Sequence, residues 1–243
     1  RSGLAVPAGW RTQLGPDFAA ASAGFLRPTS RSASSYPCPH GCGCAHRVVR
    51  HADVAIVAVC ECDPWACADI PLTPADIVLW EFSWTRLAAA IRRAFDLEHI
   101  EQGLYLPRTS QIGAWSANAV PVVFTIQSER REFREVVADL AARVGRPFIL
   151  FAPTSRFMDV SSLQLLKSAR AEFFGLDAHL ALLPSGLLQP RQSPGALFSS
   201  LQPQPQEEFS VDGIRRLYAL VLAGDAEQTE RKAPLKTVFD LYC

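Results

Sequence analysis

Six of the seven cysteines fall between Cys38 and Cys67, within YPCPHGCGCAHRVVRHADVAIVAVCECDPWACA at residues 36–68. No other feature limits the fold so strongly, because thiols at this density pair as disulfides, bind metal or do redox chemistry. The valine- and isoleucine-rich runs at 46–50 and 54–59, separated by the short HAD, predict a β-hairpin. With Ala52 at its apex, Cys44 faces Cys60 and Cys42 faces Cys62. Side chains opposed in this way have Cβ atoms about 4.5–5.5 Å apart, within reach of one ion. Cys38 and Cys67 lie just outside the hairpin, on the CPHG and DPWAC loops, placed to close a tetrahedron.

Zinc favours such a thiolate set, and the expected ligands are Cys38, Cys44, Cys60 and Cys67, the inner pair ending the two strands. Cys42 and Cys62 are then spare thiols or an alternative pair, while His40, His46 and His51 read as ordinary surface or turn histidines. The CP-x-x-C-G-C opening and C-x-C-x4-C closing resemble a zinc ribbon over about thirty residues, which implies a structural Zn²⁺. Cysteine knuckle, L-T-x-x-D helix start and small α/β unit follow one another across 36–183 in an order that resembles bacterial proteins without an assigned activity. That resemblance implies no catalytic residue.

The other uses of clustered cysteine fit less well. Disulfides need an oxidising compartment, and the opening RSGLAVPAGWRTQLG has no continuous apolar segment of a signal peptide, so a cytoplasmic protein is expected. The C-x2-C-x2-C run of iron–sulfur proteins and the C-x-x-C of redox thiols are both absent. A catalytic zinc would keep an open position beside a base, for which Glu61 is the nearby candidate. No apolar run approaches the roughly 18 residues of a membrane span.

Charge argues against a strong overall field, with 24 basic and 24 acidic residues, but its distribution is uneven. Residues 1–51 carry six arginines and the single acid Asp17. Arg27, Arg31, Arg47 and Arg50 are therefore the candidate contacts to nucleic acid.

Taken in order, residues 1–35 read as an N-terminal arm with one modest helix and a polar loop, RPTSRSASS, and residues 36–71 as the zinc-ribbon-like module. Residues 72–183 read as an α/β domain. It opens with a long amphipathic helix whose N-cap is Thr73, whose first residue is Pro74, and whose apolar stripe runs through Trp80, Trp84, Ile91 and Phe95 to about Leu97. After a loop, GLYLPRTSQIG, strands at 120–127, 147–152 and 178–183 alternate with helices at 128–144 and 161–174, the pattern of a small parallel βαβαβ sheet. Residues 184–208, with five prolines, read as a linker, and residues 209–243 as a C-terminal helical segment.

The fold class expected is thus α/β, with a zinc-ribbon-like hairpin module, a long helix and a small parallel sheet. The function expected is a non-enzymatic zinc protein that binds nucleic acid or a protein partner. One alternative is an enzyme acting on a phosphorylated or acidic small molecule at the strand carboxyl ends, through Thr154, Ser155 and Arg156. The other is a scaffold that self-associates through its C-terminal helices. No P-loop, dinucleotide fingerprint or nucleophile elbow accompanies those strands.

Overall fold

The computed structural model describes residues 3–39, 43–51, 55–62, 67–100, 102–116 and 118–201. Strand β1 (Leu4–Ala5) leads into helices α1 (Pro7–Leu14) and α2 (Phe18–Gly24), and then strand β2 (Leu26–Ser32). Strands β3 (Ser35–Pro37), β4 (Ala45–Arg50), β5 (Ile56–Val59) and β6 (Ile70–Leu72) pair antiparallel as a four-stranded meander. A meander reverses at alternate ends, so its first and third connections emerge at one end and the β4–β5 tip at the other. Those two connections carry Cys38, Cys44, Cys60, Cys62 and Cys67.

Strand β7 (Val78–Phe82) lies between β1 and β2 in a separate three-stranded sheet. Helix α3 (Trp84–Ala94) follows, capped by Ser83, whose hydroxyl accepts a bond from the Arg86 N–H at 3.4 Å. The largest sheet contains β8 (Gln102–Leu106), β9 (Thr109–Trp115), β10 (Val120–Thr125), β11 (Ile149–Ala152) and β12 (Glu172–Gly175), in the order β12-β11-β10-β9-β8. Strands β10, β11 and β12 are parallel and alternate along the chain with helices α4 (Arg130–Arg143) and α5 (Val160–Ser168), while β8 and β9 run antiparallel. Helix α6 (Leu176–His179), the hairpin of β13 (Leu180–Leu182) and β14 (Leu188–Pro190), and helix α7 (Pro194–Leu197) complete the described chain.

The class is mixed α/β, and the five-stranded sheet holds the core. Apolar side chains are buried on both of its faces, which explains why β10 and β11 read as unbroken apolar runs. Phe133, Val137, Leu140 and Leu166 of α4 and α5 pack with Val123 and Leu150 on one face. Ile91 and Phe95, at the end of α3, pack with Val122, Phe124 and Phe151 on the other. Among the described residues no helix is long and apolar enough to cross a membrane.

Several expectations are corrected. The arm does not end in a loop: RPTSRS forms most of β2 and pairs with β7, with the Thr29 hydroxyl donating to the Leu79 carbonyl at 2.8 Å. The helix expected from Thr73 starts at Trp84. Asp76 does accept bonds from the Thr73 N–H at 2.8 Å and hydroxyl at 2.6 Å, but this closes a single turn. Strands on both sides then offer VLWEF a ladder, and β-branched and aromatic residues take it. Trp84, expected in the core, is 55% exposed.

GLYLPRTSQIG forms the β8–β9 hairpin rather than a loop. The third parallel strand is β12, six residues earlier than expected, because α5 ends at Ser168 and the chain reverses through Arg170 at φ 52°. Residues 178–183 instead continue α6 and form β13. Of the expected linker, residues 184–201 are folded, and Phe198 is fully buried against Phe95, Trp115, Phe151 and Phe174. An aromatic ring in a proline-rich stretch still carries a large burial energy. The rest of that stretch and the C-terminal segment lie outside the described residues.

Candidate metal centre

The end of the meander is built by register. Strand β3 pairs with β4 so that Tyr36 faces His46 and Pro37 faces Ala45. One further step sets Cys38 against Cys44, and the Cys38 N–H donates to the Cys44 carbonyl at 3.2 Å. Strand β4 pairs with β5 through Arg47–Val59 and Val48–Ala58, a register displaced by two residues from the one expected. Continued one step beyond Arg47–Val59, this register sets Cys60 opposite His46 rather than opposite Cys44 as expected, although the sulfurs of Cys44 and Cys60 still lie within 4.8 Å of each other. A two-residue shift leaves every side chain on its original face, so the donors stay together while their partners change.

Two donor groups result. Ligand atoms of Cys38, Cys44, His46 and Cys67 all lie within 4.8 Å of one another. So do those of Cys44, Cys60 and Cys62, and Cys44 belongs to both groups. Cys38 Sγ and Cys67 Sγ are 3.7 Å apart, well beyond the roughly 2.05 Å of a disulfide. The cysteines and histidine are close enough to hold a metal ion. Three of the four expected ligands, Cys38, Cys44 and Cys67, share the first group, with His46 beside them, and Cys60 belongs to the second. Cys42 and His40 lie outside the described residues. His51 is exposed near the opposite end, at the close of β4.

His46, expected as an ordinary surface or turn histidine, lies instead within the donor group. It is fully buried, its Nδ1 lies 3.4 Å from the Ala58 carbonyl, and its Nε2 has no hydrogen-bond partner. An imidazole that donates from Nδ1 to a carbonyl has its lone pair on Nε2, the tautomer in which histidine binds metal. The signal available in the sequence was its phase: His46 is two residues beyond Cys44, on the same side of a predicted strand.

The surroundings of the meander are polar. Burial pushes the Tyr36 phenol above its usual range, nearby Asp76 adds to this, and Arg11 opposes it. The Thr73 hydroxyl and N–H hold the Asp76 carboxyl below the ordinary carboxylate range. Arg47 bonds Glu61 at 2.6 Å and Arg27 is paired with Glu81, so two of the four candidate arginines have acidic partners. Arg31 and Arg50 are exposed.

Thr154, Ser155 and Arg156 are all exposed on the turn after β11, with the Arg156 guanidinium over the Phe157 ring. The cavity near a strand carboxyl end is elsewhere. It has a volume of about 640 Å³ and is lined by residues that include Glu81, Trp84, Arg108, Thr109, Phe124 and Ile126. Arg108 stands at φ 49° and is held by the Glu132 carboxylate at 2.9 and 3.0 Å.

No family model, curated protein or solved structure matches the chain.

Proposed function

We propose that the β3–β6 meander is a zinc-ribbon-like module held by one structural Zn²⁺ on Cys38, Cys44, His46 and Cys67, and that the protein is a non-enzymatic binding protein. The observation that carries this is the buried His46, with an unpartnered Nε2, among three cysteine sulfurs. Two thiolates on one tetrahedral zinc, each at about 2.3 Å, stand about 3.8 Å apart. The 3.7 Å between Cys38 and Cys67 fits that edge. Four protein donors close the tetrahedron, which favours a structural over a catalytic ion. His46 thus replaces Cys60 in the set proposed. A reducing, cytoplasmic setting accords with thiolate ligands.

The partner proposed is nucleic acid, contacted mainly by Arg31 and Arg50, since Arg27 and Arg47 are already compensated by Glu81 and Glu61. The test is binding of zinc-loaded protein to single- and double-stranded oligonucleotides over a salt series. Two phosphate contacts on duplex predict a log–log slope of about −1.8, reduced by the Arg31→Ala, Arg50→Ala double variant. Absence of salt-dependent binding ends the nucleic-acid form of the proposal and leaves a protein partner.

A second reading is favoured by the cavity near the carboxyl end of β10, where a small molecule with an acidic group would reach Thr109 and would have to compete with Glu132 for Arg108. Titration with phosphate and small carboxylates, read as the tryptophan fluorescence change that is lost in Trp84→Phe, decides it. An unchanged signal in every titration sets it aside.

A further inference from the structure

We infer that Cys60 and Cys62, with Cys44, form a second metal site fused to the first, Cys44 serving as a thiolate bridge between two ions. This rests on the first ion being bound as proposed above. The sulfurs of Cys44, Cys60 and Cys62 lie within 4.8 Å of one another, and Cys44 is the one donor shared with the group of Cys38, His46 and Cys67. A tetrahedral ion in the first group has its four places filled, which leaves the other two thiols outside it. A thiolate that binds one ion retains lone pairs for another.

Cys60 is only 7% exposed, so its thiolate forms only where a cation takes the place of the proton. On binding a divalent ion, Cys60 and Cys62 each release a proton, while Cys44, already a thiolate, releases none. The ion then brings two positive charges against two new negative ones, so the net charge of the buried end does not change.

The two sites differ in closure. The second group has three protein donors, and its fourth position falls to water or an incoming ligand. An ion with an open place is attacked by an incoming ligand more readily than one with four protein donors. The second site is therefore an exchangeable one for a thiophilic ion, suited to accepting or passing on zinc.

The experiment counts zinc on the reduced full chain by native mass spectrometry, then follows its release to a chromogenic chelator. Two ions per chain, one leaving rapidly and one slowly, are expected. The Cys60→Ser, Cys62→Ser double variant should hold one ion and lose the rapid phase, with its circular dichroism kept. If it does not fold, Cys62→Ser alone, at a half-buried position, should abolish the rapid phase. One zinc on the wild type, two zinc on the variant, or a single release phase for both ions would overturn the inference. No zinc on the wild type would remove the structural ion proposed above as well, which keeps the two failures distinct.

Discussion

The meander and the five-stranded sheet are built from similar residues yet hold together in different ways. In the sheet, Val122, Ile149, Leu150 and Phe151 are all 0% exposed, and helices cover them on one side or the other. In the meander, among the described residues of 35–72, only His46, Ala58 and Cys60 are buried. Strands that short, with so little apolar surface removed from water, do not offset the entropy of ordering their loops. Where burial is insufficient, a cross-link or metal takes its place, and the donors lie where the connections converge. With the zinc proposed above, local stability in this protein has two separable sources.

The largest expected effect tests that separation. Chelation, or His46→Ala, should abolish amide-exchange protection across β4 and β5 while β10 and β11 keep theirs. Structural zinc in small modules is worth about 10–16 kcal/mol in apparent binding energy, enough to decide whether they fold. Retained protection in the metal-free protein would mean that the meander stands without an ion.

Next comes Phe198→Ala, which empties a site enclosed by Phe95, Trp115, Phe151 and Phe174. Denaturant unfolding should show a loss of about 3–5 kcal/mol for the part of the chain built on the five-stranded sheet. Zinc stoichiometry should not change, and a change there would mean the two regions are coupled.

Gly186→Ala should cost more than about 1 kcal/mol by the same measurement. Its φ is 81°, and an added Cβ would meet the Gly24 nitrogen at 2.7 Å and the Ala20 carbonyl at 2.8 Å. That contact joins α2 to the β13–β14 hairpin, so thermal melting of this variant sharpens how far the N-terminal helices depend on the core.

The smallest effect is one of pH. The Asp159 carboxylate caps α5 by accepting from the Ser162 N–H at 2.8 Å and is bridged to Arg134 at 2.6 Å, and both hold its pKa below the usual range. A depressed carboxyl stabilises fully above its unfolded value, about 3.9, and that contribution is lost as pH falls through the folded one. Asp159→Asn should flatten this acid limb in melting temperatures recorded from pH 5 downward, without altering the metal count. An unchanged limb would assign the acid sensitivity to other groups.

Much of this architecture was legible in the chain. PVVF and FILFA are apolar without alternation, and that pattern belongs to strands buried on both faces. The helix expected between them at 128–144 is α4, Arg130–Arg143. The cysteine cluster announced donors that must converge. What escaped was decided across the chain: VLWEF carries a helical stripe as well as strand-forming residues, and it became β7 because β1 and β2 flank it. Phe198 sits among prolines and serines, and nothing local reveals the four aromatic rings around it.

Alternation along a strand sets the face that each residue takes, so the side chains able to meet at the end of the meander are legible in the chain. Which of them stand opposite one another depends on the pairing of the strands. Pairing β4 with β5 two positions further along keeps every side chain on its face, so His46 stays on the side of Cys44 and joins Cys38, Cys44 and Cys67 in one donor group.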